Sequence, residues 1–500
     1  MYKQLGEGYY EFGDGDGTYT VARSDADTIT ITTSGVDLTA TYFAGRRIRI
    51  TDSSSGVTEG TISSSSYSSN VNTINCTGGI NVGSGTPLKV ELGLESPTGL
   101  EVANLVESNS IYIGSDPAST TSTAEYNVAL GITALDAITT GDNNTAVGYE
   151  AGTALTTGVD NTILGYTSAK GLTTASFNVI LGADACDTGT MTGNNNTVVG
   201  FQAARELTSA VENVIVGSSA GSSLTTGGYN VLIGRQAGDG YDTETHNLAI
   251  GVSALGGSVA GGEYNVAIGN YTLDALTSGD YNTTMGYGAG SALTTGARNV
   301  IIGSQAGDAI QTASSSVIIG DEAVGGGVMT ADQNVVIGRN AGHDLTSGDN
   351  NVLLGFESGS NQTTASANTF LGWKAGGLGV VTGGTNVGVG PQALYDLTSG
   401  ANNISMGYRS AYNVTTGAKN IAIGSFALTN PDTEGDNLAI GEQALGGSIA
   451  GGEYNIAVGN FTLDSLTSGD ENIAIGYSAG TALTTGASNI FIGNNAAGTG

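Results

Sequence analysis

Few residues in this chain have the types and spacing that catalysis requires. Its two histidines, His246 and His343, fall on turns far apart, and His343 with Asp344 is typical of a surface corner. No Ser/His/Asp or Cys/His set shows a convergent arrangement. The recurring glycines are not followed by Gly-Lys-Ser/Thr, and the Gly-Gly-x-Gly-x-Asp motif of calcium-binding rolls is missing. We therefore predict no enzyme, no catalytic residue, no cofactor and no metal site.

Aromatic residues at one recurring position are the best candidates for ligand contact. They directly follow the glycine of a repeated Asn-x-x-x-Gly motif, and the only tryptophan of the chain is among them. Aromatic faces can pack on sugars, but they more often pack at corners and subunit edges, and we favour packing. These candidate glycan-contact or corner residues are Tyr149, Tyr166, Phe201, Tyr287, Phe356, Trp373, Tyr408 and Tyr477.

The element that must position these rings is the Asn-x-x-x-Gly motif itself. It begins clearly at residues 127–131 and returns every 17 or 18 residues as far as 489–493, with Ser316 in place of the asparagine once. A short fixed period predicts a solenoid whose turns stack and cannot fold alone. We expect the asparagines to hydrogen-bond in a ladder along the stack. Members of this ladder include Asn127, Asn144, Asn161, Asn178, Asn196, Asn213, Asn230, Asn299 and Asn489.

Residues 144–160, NTAVGYEAGTALTTGVD, show what one repeat contains. A small residue such as Ala151 stands three places after the motif glycine and is predicted to face a narrow interior. Leu155 supplies a second buried side chain. The Thr-Thr-Gly that follows is predicted to turn the chain, with the glycine at positive φ. One repeat is thus expected to form strand, turn, short strand and turn.

The middle of the motif suggests an oligomer. The first and third x of Asn-x-x-x-Gly point to one face and the second to the other. The third x is always Val, Leu, Ile or Met, and the second is often apolar too, as at Ile180, Leu232, Ile301 and Leu353. A free-standing roll is expected to carry polar residues at the second x. Apolar residues on both faces therefore predict that another copy of the chain covers the second x.

Composition excludes several classes of function. The 500 residues include 82 glycines and carry a net charge of −31, which argues against nucleic-acid binding. No apolar stretch of 18 residues occurs, so no membrane insertion is expected, and the N-terminus does not resemble a secretion signal. The two cysteines, Cys76 and Cys186, lie in different regions and predict no disulfide framework.

Residues 1–108 lack the repeat and are predicted to form a small β-sandwich or β-barrel. Alternating segments occur at 18–22, 28–33, 47–51, 60–64, 71–76 and 88–92. The basic run 45–51 is more typical of a solvated strand edge than of a site for an acidic partner. Residues 12–17, FGDGDG, are more typical of a tight turn than of a calcium loop. Residues 109–500 form the predicted roll, and the block 256–280 returns at 446–470, as expected of a shaft that grows by duplication.

The repeats Asn-[Val/Ile/Thr]-x-[Ile/Val/Leu]-Gly-x-x-Ala resemble the parallel β-roll heads of trimeric autotransporter adhesins of the YadA type. They are still more similar to repeats of tailed-bacteriophage tail fibres, and residues 35–69 resemble, more loosely, virion-proximal domains of such fibres. The resemblance implies a homotrimer and left-handed coiling. The adhesin family also implies a signal peptide, a coiled-coil stalk and a membrane anchor, none of which the sequence shows, so the phage family is favoured.

The resemblance implies a tail fibre located in the virion, outside the host cell. Residues 1–108 would attach a trimeric shaft to a tail, baseplate or adaptor protein, and the distal end would meet a glycan or receptor on the host surface. A bacterial trimeric adhesin is the alternative. A glycan-degrading tailspike would need a carboxylate pair, which the sequence does not identify, and an ice-binding roll would need Thr-x-Thr, whereas the threonines here are adjacent.

Overall fold

A computed structural model describes eight strands between Lys3 and Gly93, and residues 110–114, 123–257, 261–447 and 451–497. Its contacts divide the chain into two compact units, Met1–Ala118 and Ser119–Gly500. All regular elements of the described residues are β-strands. No helix in these ranges is long and apolar enough to cross a membrane.

The first unit contains one antiparallel sheet of eight strands in the order β1-β2-β8-β5-β6-β7-β4-β3. The ninth strand within these bounds, β9, is not part of that sheet. The bounds are β1 Lys3–Leu5, β2 Tyr9–Glu11, β3 Thr20–Asp25, β4 Thr28–Thr32, β5 Arg47–Asp52, β6 Gly56–Ser68, β7 Val71–Thr77, β8 Pro87–Gly93 and β9 Ile111–Ile113.

All six strand segments predicted from alternation are present in this sheet, and β1 and β2 were not predicted. The longest, β6, pairs with β5 on one side and β7 on the other. The choice between a sandwich and a barrel stays a prediction. Residues 12–17 and most of the connection to the roll lie outside the described residues.

The second unit is a parallel β-solenoid of 22 strands, each of three residues. Every strand pairs with the next one in the chain, and the register joins equivalent residues, such as Thr145 with Thr162 and Ala146 with Ile163. The predicted repeat and its parallel register are confirmed. The bounds are β10 Val128–Leu130, β11 Thr145–Val147, β12 Thr162–Leu164, β13 Val179–Leu181, β14 Thr197–Val199, β15 Val214–Val216, β16 Val231–Ile233, β17 Leu248–Ile250, β18 Val266–Ile268, β19 Thr283–Met285, β20 Val300–Ile302, β21 Val317–Ile319, β22 Val335–Ile337, β23 Val352–Leu354, β24 Thr369–Leu371, β25 Val387–Val389, β26 Ile404–Met406, β27 Ile421–Ile423, β28 Leu438–Ile440, β29 Ile456–Val458, β30 Ile473–Ile475 and β31 Ile490–Ile492.

The two faces of these strands are the reverse of what the sequence suggested. The middle residue points into the interior of its own chain, and Ile180, Leu232, Ile301 and Leu353 are fully buried there. The residues on either side point outwards and are half-buried or exposed. The prediction that a partner covers the middle residue is therefore wrong. Small residues such as Ala151 complete the narrow interior, as predicted.

The glycines of each turn serve two different purposes. The motif glycine, for example Gly148 at φ 139°, has a backbone conformation that other residues rarely adopt. The glycine of Thr-Thr-Gly has an ordinary φ, which corrects the prediction. A Cβ on Gly158 would lie 2.0 Å from the carbonyl oxygen of Ala175, so this glycine is required because adjacent turns approach so closely.

Candidate functional site

The motif asparagines form a buried ladder through the roll. The Asn144 side-chain oxygen accepts hydrogen bonds from the backbone N–H and the Nδ2 of Asn161, at 3.0 and 2.9 Å. The Nδ2 of Asn144 donates to the Gly158 carbonyl at 2.9 Å and to Asn127 at 3.1 Å. Each asparagine thus joins its own turn to both neighbours, which confirms the predicted ladder and assigns it a structural role.

The ladder continues through the one substituted position. Ser316 donates its backbone N–H to Asn299, and its Oγ accepts the backbone N–H of Asn334 at 3.2 Å. Asn489 makes the same bonds to Asn472 but is only half-buried. Threonines add a second row of contacts, since the hydroxyl of Thr156 donates to the Thr173 carbonyl. These are bonds to backbone, not bonds between like side chains.

The eight candidate aromatics all lie exposed on one corner of the roll. Tyr149 and Tyr166 stack on each other with ring centroids 5.3 Å apart. Tyr287, Tyr408 and Tyr477 instead each make a T-shaped contact with a ring one residue further along its own turn, namely Tyr271, Phe426 and Phe461. Because these rings are engaged by one another, the arrangement favours the packing role over sugar contact.

Cations lie over three of these corner rings. Arg339 lies over Phe356 at 5.9 Å, Lys374 over Trp373 at 5.7 Å, and Arg409 over Tyr408 at 5.3 Å. Such contacts are worth about 0.5–1 kcal/mol at exposed sites. They further reduce the ring area that is open to a ligand.

A longer aromatic column was missed from the sequence. It occupies the position just before the ladder asparagine, where Tyr229, His246, Tyr264 and Tyr281 stack at centroid distances of 4.9, 4.7 and 5.0 Å, with Arg298 next to Tyr281. The signal was present as an aromatic residue at this place in four successive turns. His246 is therefore part of a stack, while His343 bonds to Asp344 at 2.7 Å, and the two histidines do not meet.

Two buried glutamates were also missed. Glu244 replaces the glycine of Thr-Thr-Gly, and its carboxylate accepts the backbone N–H groups of Asp242, Thr243 and Gly261, the last at 2.9 Å. Glu434 makes the same three bonds, to Asp432, Thr433 and Gly451. Each carboxylate fastens its own corner to the following turn, which explains a buried charge in this position.

Burial raises the pKa of several carboxyl groups along one corner, including those of Asp239 and Asp308. The Oδ1 atom of each is buried without a hydrogen-bond partner in the described residues, and each leans over a glycine of the next turn, Gly256 or Gly325. A raised pKa suits a general acid. These carboxyl groups are spread over many turns, however, and the described residues hold no group of three or more His, Cys, Asp or Glu placed to bind a metal ion.

Comparison of the chain with protein-family models, curated proteins and solved structures finds no match. The geometry of the roll therefore carries the functional argument.

We expect Cys186 to be unreactive until the roll opens. Its side chain is fully buried, and burial raises the pKa of the thiol, so little of the reactive thiolate forms at neutral pH. In a Cys76→Ser chain, an alkylating reagent should modify Cys186 only when denaturant unfolds the protein, as measured by mass spectrometry. Rapid modification of the native chain would show that this turn opens readily.

Proposed function

We propose that this chain is the structural shaft of a tailed-bacteriophage fibre, holding host-contact groups at a fixed distance from the virion. The uniform stack of 22 strands carries this proposal, because each added turn adds length without changing the cross-section. The duplicated block 256–280 and 446–470 supports the same conclusion, since each copy has a glycine, Gly261 or Gly451, that donates its backbone N–H to a buried glutamate of the turn before.

A homotrimer is part of the proposal. The residues on the outer face of the strands support it, because they form the apolar surface that a partner could cover. The first and third x of Asn-x-x-x-Gly form two rows of half-buried or exposed side chains along the roll, and the third x is apolar in every turn. Leu164 is 48% exposed, Leu130 46% and Met285 45%. A row of this length is typical of a surface that another subunit covers. Sister chains are the simplest cover, because their repeats have the same period.

Particles carrying a chain without residues 1–118 are expected to lack the fibre. Deletion of this compact unit should leave the roll folded, since its turns need only their neighbours. Electron microscopy of the wild-type particle should show a rod with a roll segment about 100 Å long, from 22 strands spaced about 4.8 Å apart. Light scattering of the purified chain in solution should give the molar mass of a trimer.

A matched variant with Leu164→Asp and Met285→Asp separates assembly from attachment. Both residues point outwards, so the two aspartates should prevent trimer formation while residues 1–118 remain intact. Truncated chains that still join virions would place the attachment elsewhere, and a stable folded monomer of the wild-type chain would exclude the trimer.

A further inference from the structure

A polar pocket of about 280 Å³ opens on one side of the roll, across the turns that carry strands β22 to β25. It lies between the corner residues Asn340, Glu357 and Lys374 on one edge and His343 and Tyr395 on the other. These residues come from four successive turns, and the stacking register brings the turns together. The corner aromatics described above are not among its lining residues.

The pocket exists because one turn lacks a side chain at this corner. Gly377 occupies the place that Ser360 fills in the turn before and Tyr395 in the turn after, as the backbone bonds from Asp344 to Ser360 and from Leu378 to Tyr395 show. The Ser360 hydroxyl donates to the Gly377 carbonyl at 3.0 Å, and the Asn361 Nδ2 donates to the Leu378 carbonyl at 2.8 Å. These bonds hold the glycine corner in place, so the pocket is preformed.

Tyr395 provides an aromatic wall with one face towards the gap. Its ring stacks on Tyr412 of the following turn, with centroids 4.8 Å apart and an angle of 14° between the planes. On the other side, the equivalent position in the preceding turn is Gly377, which has no side chain to cover the ring. An apolar ring face beside polar groups is the arrangement that packs against the C–H face of a sugar.

Hydrogen-bonding groups surround this ring. Lys374 and Glu357 form an ion pair at 3.1 Å, so the pocket contains a donor and an acceptor of opposite charge side by side. The Oδ1 atom of Asn340 is buried without a hydrogen-bond partner in the described residues. An unpaired buried acceptor is costly and is relieved by a hydroxyl donor from water or a ligand.

We propose that this pocket binds one uncharged pyranose unit of a carbohydrate, with the sugar ring on Tyr395 and its hydroxyls on Glu357, Lys374 and Asn340. Paired charges favour a neutral sugar over an acidic one, because an anion would compete with Glu357 for Lys374. As the host-side contact of the fibre, the site rests on the proposed function. Sugar binding by the purified full chain and incorporation into virions are separate measurements, so either proposal can fail alone.

The single tryptophan gives the experiment a local reporter. Trp373 is adjacent to Lys374, whose ammonium lies 5.7 Å from its ring centre, so a sugar that engages Lys374 should change the Trp373 emission. The full chain is titrated with D-glucose, D-galactose and N-acetyl-D-glucosamine, and with N-acetylneuraminic acid as the acidic comparison. We expect a saturable change with at least one neutral sugar in the millimolar range, confirmed by saturation-transfer NMR.

The variants test whether Tyr395 is the wall on which the sugar rests. Tyr395→Ala should weaken binding about tenfold or more, while Tyr395→Phe keeps the ring and should bind as the wild type does. Tyr281→Ala removes a comparable stacked ring outside the pocket and should leave the affinity for sugar unchanged. If Tyr395→Ala lowers the melting temperature, Asn340→Gly serves instead, since its positive φ suits glycine. Unchanged affinity in the variant that stays folded, no saturable binding of any neutral sugar, or tighter binding of the acidic sugar would overturn the proposal.

Discussion

Gly148→Ala is expected to unfold the turns around it, whereas Gly288→Ala is expected to leave the roll intact. Gly148 has a φ of 139°, and a Cβ there would lie 2.1 Å from the carbonyl oxygen of Gly165 in the next turn. Backbone strain and the clash together cost about 3 kcal/mol or more. Each turn is linked only to its neighbours, so the loss of stability should be local. We expect faster amide hydrogen exchange in β11 and β12, together with a lower melting temperature.

Gly288 is the control because the same atoms are added there, at a φ that alanine tolerates better and away from the next turn. Its φ of 63° is one that alanine tolerates at a cost of about 1 kcal/mol, and its nearest neighbour to an added Cβ is the Gln305 Cγ at 3.9 Å. Equal destabilisation by the two variants would contradict the prediction, because neither the φ of Gly148 nor the close approach of the next turn would then add to the cost of the substitution.

Asn161→Ala should be the most damaging change to a side chain of the ladder. It removes the acceptor for the backbone N–H and Nδ2 of Asn178 and the donor to the Ala175 carbonyl. All of these groups are buried, so the expected loss is about 3 kcal/mol. Thermal denaturation followed by circular dichroism gives the change in stability.

The chain itself supplies the control for this change. Asn161→Ser should cost less than alanine, because Ser316 already shows that a hydroxyl accepts the next backbone N–H. The reverse change, Ser316→Asn, should stabilise the roll by about 1 kcal/mol through the restored amide bonds. A ladder in which alanine and serine cost the same would mean that the side-chain acceptor contributes little.

The period of the asparagines predicted the solenoid and its register, since a spacing of 17 or 18 residues places equivalent residues side by side. The inward face could not be derived in the same way. Alternation fixes only that neighbours point apart, and the constant Val, Leu, Ile or Met at the third x looked like the core. The true interior accepts Ala146 and Ile163 in adjacent turns because other residues of the turn fill the remaining space.

Contacts between turns at their corners were harder to predict. The stack from Tyr229 to Tyr281 is visible as a period once the register is known. The pocket beside Tyr395 is not, because it depends on a missing side chain at Gly377 and on which ring face that absence uncovers. Glu244 looked like an ordinary charged turn residue, and only the position of Gly261 in the following turn explains its burial.

The direction of the asparagine ladder gives the roll an inherent order of construction. In the rungs from Asn127 onwards, the side-chain oxygen faces the turn that comes later in the chain and receives its N–H groups. A finished turn therefore presents a ready template of acceptors to the segment that leaves the ribosome next. The roll can grow vectorially during synthesis, one coil at a time, and need not wait for a complete chain before its first coils are secured.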